Sequence, residues 1–361
     1  MTSIRTLLNS TLFDEMVNGG YVRIQTHPTL PLSIANYSEK TQYENAWNEV
    51  TLACRGLIYD ADGGVVARPY RKFFNYGDTT NTGTLDLTAP AVVTDKLDGS
   101  LGISYPTPDG LAVATRGSFA SDQAVHATQL LRTRYRHFDA RPGTTYLWEI
   151  VYPLNRIVVD YGDRDDLILH GAVATATGHV YTAAECYEWP GPRVTQFQYE
   201  TLAEALAAEP RPNAEGLVVM LGTDQTMVKI KQDDYVALHR IITGLNARTV
   251  WEWLGDGKTV GDLCATLPDD FHGWVEDLAA ELMFEAADLI TAATNAHEAT
   301  LRSMPAGWTR GDYARAIAAN PSKPYMFLLL DGNHSKARDL AWRAVKPSGA
   351  RSLINHSEAV A

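Results

Sequence analysis

Lys96-Leu97-Asp98-Gly99-Ser100 sets a lysine at the end of an apolar β-type run (Ala91, Val92, Val93), directly before an Asp-Gly turn signal. A lysine amine held there faces whatever lies above the sheet. It becomes a nucleophile once it loses its proton, and burial or neighbouring cations would depress an ordinary pKa of ~10.4. A salt-bridged loop lysine would use the same residues, and the spacing alone does not choose. Lys229 and Lys231 stand one residue apart in Met227–Lys231. On a strand their side chains share a face, roughly 6–7 Å apart, with Val228 and Ile230 on the other face. Either that face looks into a site or it is solvated. Arg55 supplies a planar fork suited to phosphate, and Lys72 a point charge. Glu149 and Glu215 are each followed by apolar β-type residues, as strand-end acids would be. Magnesium takes one or two such carboxylates together with phosphate oxygens and water.

In chain order these residues sit in a longer set. It begins with Cys54-Arg55-Gly56, Arg68-Pro69-Tyr70-Arg71-Lys72-Phe73-Phe74-Asn75 and the Lys96 motif. Arg116-Gly117-Ser118, Trp148-Glu149 and Pro153-Leu154-Asn155-Arg156-Ile157-Val158 follow. Glu215-Gly216-Leu217-Val218-Val219, Val228-Lys229-Ile230-Lys231 and Tyr235 complete it. The set resembles the lysine-adenylating nucleotidyltransferases, and more narrowly the ATP-dependent RNA ligase family typified by the T-even phage tRNA-repair ligase. The resemblance covers about residues 30–240. The Lys-Phe-Phe-Asn and Asn-Arg-Ile-Val signatures set it apart from DNA ligases and capping enzymes.

The resemblance implies that Lys96 attacks the α-phosphorus of ATP and stores the nucleotide as lysyl-AMP. It implies phosphate contacts for Arg55 and Lys72 with Phe74 beside them, and α-phosphate contacts for Lys229 and Lys231. Glu149 and Glu215 would share metal-water and ribose contacts, in an order the sequence leaves open. Asp98, Gly99, Gly216, Arg116 and Tyr235 would complete the nucleotide site, Asp98-Gly99 forming a turn with no side chain to block the phosphate. Arg116 departs from the T-even enzyme, which has lysine there. Asn155-Arg156 would lie at an RNA-facing rim or form a structural turn. The implied cofactors are ATP and Mg2+, with Mn2+ as a substitute, and the implied partner is RNA, such as a cleaved tRNA anticodon loop. The expected reaction joins RNA 3′-hydroxyl and 5′-phosphate ends through lysyl-AMP and RNA-adenylate. The alternatives are a ligase of DNA or mixed ends, and a non-catalytic nucleotide- and RNA-binding protein.

Short β-type runs should position these residues. Leu52–Tyr59 and Val65–Arg68 flank Asp60-Ala61-Asp62-Gly63-Gly64, and Leu101–Tyr105 and Leu111–Thr115 flank Pro106–Gly110, each a hairpin pattern. Strands are expected at Ile157–Asp160, Leu167–Val173, His179–Thr182, Gly216–Leu221 and Thr226–Ile230, with a helix near Leu202–Ala208. The fold class predicted is α+β: an antiparallel-sheet adenylation domain over 1–240, then an all-α domain over 241–361. In the second part Phe271, Trp274, Val275, Leu278, Leu282, Leu289 and Ile290 recur at helical spacing after Pro268-Asp269-Asp270. Thr259 with Asp262 and Thr309 with Asp312 read as capping boxes, and Asn333–Val345 as a last helix ended by Pro347. No oligonucleotide-binding β-barrel pattern is present there.

The formal charge of −12 in 361 residues argues against nucleic acid only if charge is evenly spread. It is not. Residues 251–290 hold ten acids against one lysine, and residues 301–361 nine Lys/Arg against four acids. Residues 116–141 hold five arginines against two acids. Phosphate binding needs a basic surface, not a basic protein, so the C-terminal basic residues are expected to position RNA. Three scattered cysteines suggest neither zinc nor disulfides, no apolar run reaches the ~20 residues of a membrane span, and the N-terminus has no secretory pattern. A cytoplasmic protein, monomeric by preference, is expected.

Overall fold

A computed structural model describes residues 2–222, 224–233, 235–236, 245–264, 267 and 272–347. The chain divides into two compact units between residues 239 and 240.

The first unit holds three sheets. One has the order β1-β2-β3-β4, formed by β1 Val22–Thr26, β2 Leu32–Tyr37, β3 Arg55–Asp60 and β4 Val65–Ala67. Asp60 builds the β3–β4 turn by accepting the Asp62 and Gly64 amides on Oδ1. The strand expected from Leu52 starts only at Arg55, because Asn48 caps a short helix, Glu49–Ala53, through a capping box with Thr51.

The other sheets use β5 Phe74–Asn75, β6 Ala91–Lys96, β7 Ser100–Thr107, β8 Gly110–Ala114, β9 Thr144–Val151, β10 Asp166–Ala174, β11 Val180–Thr182, β12 Gln196–Phe197, β13 Gly216–Leu221 and β14 Thr226–Lys231. Their orders are β11-β10-β9-β7-β8 and β12-β6-β13-β14-β5. All ladders are antiparallel except β14 with β5. The class is therefore α+β. A core of Trp148, Trp189, Tyr146, Ile150 and Leu167 lies on the sheet that carries Glu149.

A second element departs from expectation. Ile157–Asp160 is no strand: the Val158 and Val159 amides donate to Asp98 Oδ2 at 2.8 and 2.9 Å, so they are lost to a ladder. The arginine-rich stretch contains a helix, Asp122–Thr133, capped by Ser121 and burying Ala124, Ala127, Leu130 and Leu131. Its spacing fits a helical face that the charges obscure.

The second unit is helical, with no strand among its described residues: Ala247–Gly255, Val260–Cys264, His272–Ser303, Arg310–Ala316, Lys323–Leu330 and His334–Ala344. Thr259 and Asp262 bond reciprocally, as do Thr309 and Asp312. Val275, Leu278, Ala279 and Leu282 pack with Val250, Leu263 and Cys264. The expected helix start at Pro268-Asp269-Asp270, with Phe271, and the basic residue Arg351 lie outside the described residues. No helix among the described residues is long and apolar enough to cross a membrane.

Candidate active site

Lys96 ends β6, opposite Gly216 of β13, and Gly216 in turn lies opposite Lys231 of β14. Glu215, one residue earlier, is thereby set between two ammonium groups. Lys96 Nζ lies 2.7 Å from its Oε2, and Lys231 Nζ 3.0 Å from its Oε1. The close crossing needs glycine at 216. Its φ is +149°, and a Cβ there would lie 1.9 Å from the Ile230 carbonyl oxygen.

Lys96 is 18% exposed and Glu215 3%. Burial alone would depress the Lys96 pKa, but Glu215 and then Glu149 outweigh it and hold the amine above the usual lysine range. This corrects the expectation of a depressed nucleophile: the nearest groups are carboxylates, not cations. Burial depresses Lys72, and the most depressed amine is Lys229. Burial, followed by Lys72, Lys96, Lys231 and Arg55, pushes it well below its ordinary value, and among the described residues no carboxylate pairs with it. The expected shared face of Lys229 and Lys231 looks into the site, with Val228 wholly buried behind it.

Asp98 is 4% exposed. Its Oδ2 accepts the Val158 and Val159 amides, and its Oδ1 accepts the Tyr235 hydroxyl at 2.8 Å. Asp98 thereby ties the lysine motif to the 158–159 loop and to Tyr235. Ser100 donates to Asn155 Oδ1 at 3.1 Å, and Asn155 Nδ2 donates to the Ile150 carbonyl at 2.8 Å. Asn155 is therefore the structural turn and not a rim residue. Gly99 also has a packing reason. A Cβ there would meet the Ile150 carbonyl oxygen at 2.7 Å and Glu149 Cγ at 3.0 Å, so glycine lets the motif lie against the strand bearing Glu149.

Glu149 of β9 is 7% exposed, and its Oε2 lies 2.5 Å from His170 Nε2. Its Oε1 has no hydrogen-bond partner among the described residues. Both Glu215 oxygens are taken by lysines. The two glutamates thus differ: Glu149 Oε1 could take a divalent cation directly, whereas each Glu215 oxygen already accepts from a lysine. No group of three or more His, Cys, Asp or Glu that could hold a metal occurs among the described residues. One carboxylate oxygen with phosphate oxygens and water fits a magnesium-type ion.

The remaining cations crowd one side. The Arg55 guanidinium lies 5.5 Å over the Phe73 ring, and its buried Nη1 has no hydrogen-bond partner among the described residues. Lys72 Nζ sits 5.3 Å from the rings of Tyr37 and Trp47 and 5.5 Å from Phe74, a cation–π box. Phe74 packs edge-on against Trp47. The Tyr37 hydroxyl accepts from Arg116 Nη1 at 2.9 Å. Burial would raise the Tyr37 pKa, but Arg116, Lys72 and Arg55 bring it down. Tyr37, Trp47 and His170 belong to this constellation, and no spacing in the sequence marks them.

Three other arginines of the basic run do structural work. Arg132 bonds to the Leu111 carbonyl and Thr107, Arg134 to Asp165 and Asp166, and Arg141 to Glu188.

Known proteins resemble this chain. A relative is a candidate RNA ligase of Thermovibrio ammonificans, 28% identical over 211 residues, 53% of this chain and 54% of its own. Another is a candidate bifunctional polynucleotide kinase/RNA ligase of Autographa californica nuclear polyhedrosis virus, 25% identical over 244 residues, 61% of this chain and 35% of its own. The chain thus spans about half or less of the length of these curated relatives. Among solved structures, a Naegleria gruberi RNA ligase mutant with ATP and Mn matches at a TM-score of 0.34 and 17% identity, over 43% of this chain and 52% of that one. The RNA ligase family model matches residues 53–235, about half of the chain, running from just before Arg55 to Tyr235. Across the strands that bring Lys96, Glu215 and Lys231 together, this chain belongs to the RNA ligase family.

Proposed function

We propose that this chain is an ATP-dependent RNA ligase whose first unit forms lysyl-AMP at Lys96. The observation that carries the reading is a strand-end lysine clamped by Glu215 beside two buried cations, Lys229 and Arg55, that have no ion pair among the described residues. Among the described residues Lys229 has no carboxylate partner and Arg55 Nη1 no hydrogen-bond partner, so a polyphosphate supplies the charge that the site lacks.

In the first step Lys96 Nζ, freed of its proton, bonds to the α-phosphorus, and the bond to the β-phosphate oxygen breaks. Arg55 and Lys72 receive the departing pyrophosphate, with Phe74 and Trp47 walling Lys72, while Lys229 and Lys231 hold the α-phosphate. A divalent cation, Mg2+ or Mn2+, bound at Glu149 would lower the charge barrier. In the second step an RNA 5′-phosphate oxygen takes the adenylate and the P–N bond breaks. In the third an RNA 3′-hydroxyl attacks the activated 5′-phosphate and AMP leaves. The test is incubation with α-labelled ATP and magnesium, followed by denaturation: label must stay on the protein and then pass to 5′-phosphorylated RNA.

The raised Lys96 pKa has a kinetic sign. Lysyl-AMP formation should speed up as pH rises from neutral into the alkaline range, as the ammonium gives up its proton. Glu215→Gln removes the carboxylate that contributes most to the rise, so its profile should rise at lower pH although its plateau is reduced. Single-turnover labelling across pH measures both. An unshifted profile would mean that Glu215 does not control the Lys96 proton.

The helical unit is proposed to position a structured RNA, and repair of a cleaved tRNA anticodon loop is the finer reading. Support comes from the signatures at 72–75 and 155–158 and from basic residues left over in this unit. Arg302, Arg310 and Arg315 pair with Glu298, Asp331 and Asp312. Lys336, Arg338 and Arg343 on helix His334–Ala344 are exposed and have no ion pair among the described residues. Reversing these three to glutamate should leave lysyl-AMP formation at the parent rate. The slope of log affinity against log salt should become shallower by roughly 0.7 for each RNA phosphate that the protein no longer neutralises. An unchanged slope would remove RNA from this face.

A further inference from the structure

Glu149 reaches the site with one oxygen committed and one open, and the committed oxygen is held by a residue with no assigned part. His170 is the extra residue of a β-bulge in β10, between the Leu169–Trp148 and Gly171–Leu147 pairs. Bulges re-aim side chains at the cost of ladder pairing, and this one is fastened on three sides. The Leu169 amide donates to the Pro192 carbonyl and its carbonyl accepts from the Val194 amide, both at 2.9 Å. Gly171 has φ +151°, and a Cβ there would lie 2.3 Å from the Tyr181 carbonyl oxygen and 2.6 Å from the Tyr70 hydroxyl. No other residue type fits that close approach. The fixed backbone delivers His170 Nε2 to Glu149 Oε2 at 2.5 Å, with side chains 15% and 10% exposed.

From this geometry we infer that His170 is a positioning residue: it holds Glu149 by Oε2 so that Oε1 faces the nucleotide's divalent cation. The inference rests on the ligase reading above and deepens it. A freely rotating carboxylate would swing toward the cations Lys96 and Arg55, both of which feel its charge. A hydrogen bond to the far oxygen prevents that swing, and partners of this kind typically set metal affinity by 10–100-fold.

The test compares His170→Gln, whose amide reaches Oε2, with His170→Leu and His170→Ala, which have no donor. Mn2+ is titrated into each protein with α,β-methylene ATP, which cannot lose pyrophosphate, and free Mn2+ is read by electron paramagnetic resonance. Lysyl-AMP formation is measured beside it with natural ATP. The donor-less variants should bind Mn2+ 10–100-fold more weakly and need correspondingly more metal for labelling, while His170→Gln recovers most of both. If His170→Ala fails to fold, the leucine–glutamine pair decides. Equal Mn2+ affinity in leucine and glutamine variants would overturn the inference and leave His170 a buried packing partner. A parent protein that takes no label would overturn the ligase reading, and this inference with it.

Discussion

Replacing Lys96 with alanine should reduce covalent labelling by α-labelled ATP to background. Lys96→Arg should do the same for a different reason, and the pair of variants separates two roles. Lys96 is both the proposed nucleophile and one of two ammonium groups on Glu215. Alanine removes both roles. It leaves Glu215 paired with Lys231 alone, so thermal stability should fall. Arginine keeps a cation opposite Glu215 but is no nucleophile, because the guanidinium stays charged. Stability should therefore recover in Lys96→Arg while labelling does not. The linkage follows from the shifts. The raised Lys96 pKa contributes stability that is full below its unfolded value and is lost as pH rises through the folded value. The lowered Glu215 pKa contributes stability that is present above its unfolded value and is lost as pH falls through the folded value. The parent's advantage over Lys96→Ala should therefore be widest between these limits. Lysyl-AMP formation by either variant would end the assignment of Lys96.

Lys229→Met should stabilise the protein and disable it. A buried ammonium with no carboxylate partner among the described residues, facing Lys72, Lys96, Lys231 and Arg55, opposes folding. Methionine fills similar volume without the charge, so the melting temperature should rise on the order of 2–4 °C per kcal/mol recovered. The parent should also grow more stable as pH rises between the depressed folded pKa and the unfolded value of 10.5, where only the unfolded chain keeps the proton. The variant should lack that slope. Labelling with ATP should fall by two orders of magnitude or more, as when a preorganised charge is removed from a transferring phosphoryl group. Lys231→Met should lose activity without gaining stability, because Lys231 already has an ion-pair partner in Glu215. A loss of melting temperature in Lys229→Met would show that the lysine is balanced in the folded protein. Unimpaired labelling would show that it holds no phosphate. The combination expected is a charge kept for its ligand against the interest of the fold.

Which residue types are available, and on which strands they lie, was legible in the chain alone. The apolar run before Lys96, the alternation around Lys229 and Lys231, the turn at Asp60–Gly64 and the caps at Thr259 and Thr309 are local patterns, and local rules sufficed to read them. The strand order was not local, and it decided the roles. Lys96 and Lys231 flank Gly216 because β6 and β14 are both neighbours of β13, and only that places Glu215 between two ammoniums and raises the Lys96 proton instead of loosening it. Asp98 is drawn into backbone bonds with Val158 and Val159, which turns a predicted strand into a loop anchored on the lysine motif. Glu149 and Glu215 look alike in sequence, each an acid beside apolar residues. They part company because one meets a histidine on a bulge and the other meets two lysines. Tyr37, Trp47 and His170 carry no periodic signal, since aromatic and imidazole side chains suit a core as well as a site. A side chain's charge and reach are written in its type; its partners are set by contacts across long sequence separations, where burial makes each pairing count.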